Sequence, residues 1–140
     1  MKSALYIITL LLASVTALTC SNPLKESQPE KTKVRILVDD NLAPGRWVFY
    51  WDGKNENGDL QAPGKYLYAM ETKDFDEVSY MTAEAGGKEN TNNEEHYEAG
   101  TWFNYDLEES YPEPFKIRDG VNIPFLVKET ARIKITIFKD

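Results

Sequence analysis

The sequence is nearly without cysteine and histidine: it has one of each in 140 residues, Cys20 and His96. A lone cysteine cannot close a disulfide within the chain, so any fold rests on its core. His96 has no cysteine partner, and Glu94, Glu95 and Glu98 around it match no zinc spacing, so it reads as a solvated loop residue. Long apolar runs are also missing. Ala4 to Ala13 is uncharged but falls short of the about 20 residues a bilayer-spanning helix needs. Positive charge is scarce, with 16 Lys and Arg against 23 Asp and Glu and a net charge of −7. An acidic chain repels phosphate backbones, which argues against nucleic acid as a partner. No basic cluster suits anionic lipid heads, no segment keeps a helical period, and Ser79 and Ser110 lack a nucleophile's context. No cofactor and no catalysis are expected.

What is present begins with an export signal. Lys2 supplies a positive charge, the uncharged run follows, and small residues come after it. Ala17-Leu18-Thr19-Cys20 resembles a bacterial lipobox, in which the cysteine takes the lipid and becomes the new N-terminus. The resemblance implies a signal peptide over 1–19, lipid on Cys20 and a polar tether over 20–31. Ala17 and Thr19 stand where the motif favours Leu and a small residue. Val15-Thr16-Ala17 also suits an ordinary signal peptidase, which would release a soluble secreted or periplasmic protein. Either cut removes only Lys2 among the charges and takes −7 to −8. The expected location is the bacterial cell envelope, on the outer membrane or cell surface, with membrane attachment through the lipid alone.

Residues 32–140 read as one domain of short strands and turns. Lys33 to Val38 alternates, placing Val34, Ile36 and Val38 on one face and Lys33 and Arg35 on the other. Arg46 to Trp51 is a second strand, with Trp47, Phe49 and Trp51 sharing a face that core packing explains. Gly64 to Thr72 sets Tyr66, Tyr68 and Met70 together, and Lys73-Asp74 turns the chain into Phe75 to Thr82. Val121 to Val127 and Ala131 to Phe138 close the set, with Ile133, Ile135 and Ile137 inward. Pro124 lacks an amide donor and argues for an edge or a bulge. Between these groups, residues 83–113 hold nine carboxylates against Lys88 alone, and Thr101 to Tyr105 offers a short extra strand. The pattern predicts an all-β sandwich of about seven strands.

Several spacings carry a more specific likeness. Val34-Arg35-Ile36-Leu37-Val38-Asp39, Pro44-Gly45-Arg46, Trp51-Asp52-Gly53, Asn57-Gly58 and Pro63-Gly64-Lys65-Tyr66 together resemble the Ig-like domain of the flagellar hook-capping protein family and related C-terminal modules of secreted bacterial proteins. Tyr111-Pro112-Glu113-Pro114-Phe115 resembles the segment that opens those modules, and the two strands after it resemble the next two. In the family those strands come first. The resemblance therefore implies an Ig-like or fibronectin-III-like sandwich that is circularly permuted, with residues 83–110 joining the old ends. Exchange of the C-terminal strands between two molecules would bury the same faces.

Two groups of residues stand out as sites. Asp52, Asn55, Asn57 and Asp59 are oxygen-rich and invite calcium, but Lys54 lies among them and no bidentate acid follows; turn formation accounts for the same residues. Trp102, Phe103 and Tyr105 lie outside the family pattern, framed by acids, and suit either a contact surface or a strand laid over a sheet edge. The expected function is a non-catalytic envelope lipoprotein whose sandwich binds a protein partner or scaffolds an assembly. The alternative is a carbohydrate- or peptidoglycan-binding module using the aromatics of residues 97–111.

Overall fold

The computed structural model describes residues 31–140. The signal segment, Cys20 and all of the expected tether but Lys31 lie outside the described residues. The described chain is all-β, without a helix. Nine strands are present, two more than the sequence suggests: β1 (Thr32–Leu42), β2 (Gly45–Trp51), β3 (Gly64–Thr72), β4 (Phe75–Glu84), β5 (His96–Ala99), β6 (Asp106–Leu107), β7 (Phe115–Lys116), β8 (Val121–Val127) and β9 (Ala131–Lys139).

They form a five-stranded sheet, β1-β9-β3-β4-β7, and a four-stranded sheet, β5-β2-β8-β6. The two share one core. Tyr66, Tyr68 and Met70 from β3 and Ile133, Ile135 and Ile137 from β9 meet Trp51 of β2 and Ile123 and Phe125 of β8, all fully buried. Trp51 packs edge-on against Tyr66, with ring centroids 5.3 Å apart. The period-2 pattern of β3, β8 and β9 produces this layer, because each strand turns every second apolar side chain inward.

Four expectations are corrected by the pairing. In β1 the register against β9 shifts between Lys33 and Arg35 and again between Ile36 and Val38. Each bulge resets the alternation. Val34, Val38 and Leu42 are buried while Ile36 is only half-buried, and Arg35 stands opposite the inward Ile137. From there its guanidinium reaches Asp52, 3.4 Å away at the end of β2.

In β2, Trp51 is core, but Trp47 and Phe49 are only partly buried, and Val48 and Tyr50 on the opposite face are buried as well. That opposite face is covered by the 83–110 connection and, over Tyr50, by Asp119 and Gly120. Asn122, next to it on β8, accepts Glu94 N–H at 3.0 Å and donates to Asn92 O at 2.7 Å.

Pro124 lies in an interior strand, opposite Val48. Its carbonyl accepts Glu108 N–H at 3.0 Å, on the side away from β2. The N and C=O of one strand residue face the same way, so the missing donor falls where β6 has already ended and costs no bond to β2.

The connection is also more ordered than loop chemistry suggests. It supplies both outer strands of the smaller sheet, β5 against β2 and β6 against β8. His96 opens β5 instead of sitting in a loop, and residues 101–105, expected as a strand, form the bend between β5 and β6.

Candidate binding surface

The strand directions sort the loops onto two ends. At one end Lys31 lies 3.7 Å from Asp140, beside the loop after β2. At the other, Leu42 pairs with Ala131, and Gly45 stands between Ala99 and Val127. The β3–β4 turn at Lys73-Asp74 and the bend 100–105 share that far end, since Tyr105 packs on Phe75 with centroids 5.9 Å apart. β1 lies along the nine residues of β9, about 30 Å at strand rise. The bend is therefore separated from Lys31 by the length of the fold.

The bend holds the three aromatics singled out from the sequence, in three different environments. Phe103 is 90% exposed, Trp102 is 39% exposed, and Tyr105 is half-buried. With Asn104, Asp106 and Leu126 they line a shallow hollow. Burial, with Glu129 and Asp74 nearby, raises the Tyr105 hydroxyl pKa above its usual value. Phe103 thus stands in water beside Trp102 and the half-buried Tyr105.

The bend is anchored from both sheets. Leu107 N–H donates to Glu77 Oε2 of β4 at 3.0 Å. Glu108 takes Arg46 at 3.0 Å. The buried Tyr68 hydroxyl donates to Glu108 O at 2.9 Å and accepts Ser110 N–H at 2.8 Å. On the β5 side, Gly45 adopts φ of 150°, and a Cβ there would sit 2.4 Å from Glu98 O. Only glycine lets β5 lie this close to β2. Sequence reasoning missed Tyr68 and Asn122, whose partners are remote in the chain. It named Trp47 and the aromatics of 97–111 separately and did not pair Trp47 with Tyr97, whose ring centroids lie 4.0 Å apart.

The oxygen-rich loop after β2 uses its side chains on its own backbone. Asp52 Oδ1 accepts Lys54 N–H at 3.1 Å. Asn55 Oδ1 accepts the N–H groups of Asn57 at 3.0 Å and Asp59 at 2.9 Å. These bonds shape the turn. Asn57 and Asp59 point to solvent, and no group of three or more His, Cys, Asp or Glu side chains able to hold a metal occurs among the described residues. This loop and the aromatic bend lie at opposite ends and do not form one site.

No family model, no curated protein and no solved structure matches the chain.

Proposed function

We propose that this protein is a non-catalytic bacterial envelope lipoprotein. Its β-sandwich, of Ig-like type and permuted order, presents the Trp102–Tyr105 bend to a protein partner. Lipid on Cys20 would hold the chain by the end where β1 begins. The bend lies at the other end of the fold, about 30 Å away by the rise of β9. The observation that carries the reading is Phe103, 90% exposed at the far tip of a bend fixed by three cross-sheet hydrogen bonds. A rigid, presented aromatic is what protein-binding surfaces use as an anchor. The permuted order is supported by the pairing of β1 with β9 along nine residue pairs, which brings the first and last strands of the described residues together. Such sandwiches serve many roles, so the function rests on the bend and not on the architecture.

The carbohydrate reading has one observation of its own: Asn104 and Asp106 lie in the same hollow as Trp102, an arrangement that can stack and hydrogen-bond a sugar. One experiment separates the two. Cross-linking from position 103 in intact cells is expected to capture one protein, lost in Phe103→Ser. Binding to a glycan array that disappears in Trp102→Ala, with no protein captured, would support the sugar reading instead. Metabolic labelling with a fatty acid, abolished by Cys20→Ser, tests the anchor separately.

A further inference from the structure

The two sheets end in unlike edges on one side of the molecule. β1, the edge of the larger sheet, is guarded. It carries two bulges, its Ile36 N–H is capped by the Glu56 carboxylate at 2.7 Å, and Arg35 is tied to Asp52. These are devices that stop a strand edge from pairing with another chain.

β5, the edge of the smaller sheet, has none of them. Tyr50 N–H donates to Glu95 Oε2 at 3.3 Å, which shows that Tyr50 turns its main chain toward the β5 side. Main-chain direction alternates along a strand, so Val48 and Arg46 turn the same way, toward His96 and Glu98. The N–H and C=O groups of Tyr97 and Ala99 consequently face outward. They have no hydrogen-bond partner among the described residues, and all four residues of β5 are exposed.

An apolar ledge runs beside this open edge. Tyr97 is 37% exposed and lies against Trp47. Trp47 and Phe49 point to the face that the larger sheet covers elsewhere, yet remain only partly buried, as does Leu37 on β1. Free main-chain groups next to an apolar ledge are the two elements that strand addition uses. The first gives affinity and the second gives specificity at alternate positions.

We propose that β5 receives an extended segment of a partner protein as an added strand. An apolar side chain rests on the Tyr97–Trp47 ledge, and basic side chains face Glu98. Charge selects the occupant. No Lys or Arg occurs between Lys88 and Lys116, whereas Glu94, Glu95 and Glu98 lie on or beside β5. The nearest cation, Arg46, is already engaged by Glu108. A second copy of β5 would bring the same acids to the seam and no Lys or Arg to meet them. A basic, alternating strand would neutralise them. This interface is separate from the Phe103 tip and stands whether or not the tip binds anything.

The test uses the full chain and two synthetic peptides, one alternating lysine with valine and one alternating glutamate with valine. Binding of the lysine peptide is expected to be at least tenfold tighter. It is expected to slow amide exchange at Tyr97 and Ala99 at least tenfold, read residue by residue by NMR, with His96 and Glu98 unchanged. Ala99→Pro removes one outward donor without touching the β2 ladder. It is expected to weaken binding about tenfold with the melting temperature unchanged. An N-methyl group on alternate peptide amides gives the same loss without altering the protein. Equal affinity for the two peptides overturns the proposal, as does absence of protection at Tyr97 and Ala99. Protection of these amides by raised protein concentration alone would make the occupant a second copy and overturn it too.

Discussion

The hydroxyl of Tyr68 lies 2.8 Å from the backbone nitrogen of Ser110, across the core from the sheet that carries it. The same oxygen donates to the Glu108 carbonyl, so one buried side chain satisfies two main-chain groups of the connection. Tyr68→Phe keeps the ring and removes both bonds. The buried Ser110 N–H is then left unpaired, and the expected cost is about 2 kcal/mol. Chemical denaturation measures it, and amide exchange is expected to quicken at Leu107 to Ser110 more than in β9.

Phe103 is expected to behave in the opposite way. Being 90% exposed, its replacement by Ser should change stability by less than about 0.5 kcal/mol. Binding to the cross-linked partner should fall about thirtyfold, the size of an aromatic anchor's contribution. Equal affinity in the variant would remove the bend from the interface.

Tyr50 gives a pH signature. Burial, and then Asp52 and Asp119, push its hydroxyl pKa up from 10.0 to about 12, and it donates to Asp119 O at 2.6 Å. The folded state therefore keeps this proton while the unfolded chain loses it. The tyrosine's contribution is fully present below pH 10, and it is lost as pH climbs to about 12. Thermal melts across that window should show a steeper fall in the wild type than in Tyr50→Phe.

Thr136 is the one described buried side chain whose oxygen lacks a hydrogen-bond partner. Thr136→Val replaces that hydroxyl with a methyl group of similar size. The substitution is expected to stabilise the fold by about 1 kcal/mol, read as a higher denaturation midpoint.

The central strands of both sheets were legible in the sequence. The bounds of β3 and β8 match the alternating runs, and Ile133, Ile135 and Ile137 are fully buried as their spacing implies. Those residues report their surroundings locally, because both neighbours on the strand are more polar or face the other layer. The bulges of β1 were not legible, since a register shift is set by the partner strand. β5 and β6 were missed for a related reason: they are short and largely polar, and they are held by pairing to β2 and β8 instead of by an apolar face of their own. Trp102, Phe103 and Tyr105 were singled out together, and the structure does gather them in one bend, though not as a strand. The contacts that fix the connection, Tyr68 to Ser110 and Asn122 to Glu94, link residues 42 and 28 positions apart, and no local pattern encodes them.

The nine-pair ladder between β1 and β9 has a mechanical consequence. In a chain held before Lys31 and pulled by whatever grips the far tip, tension runs along β1, parallel to the strand. The ladder is then loaded in shear, and its hydrogen bonds share the force instead of opening one after another from an end. A pull along that axis therefore meets nine paired residues at once.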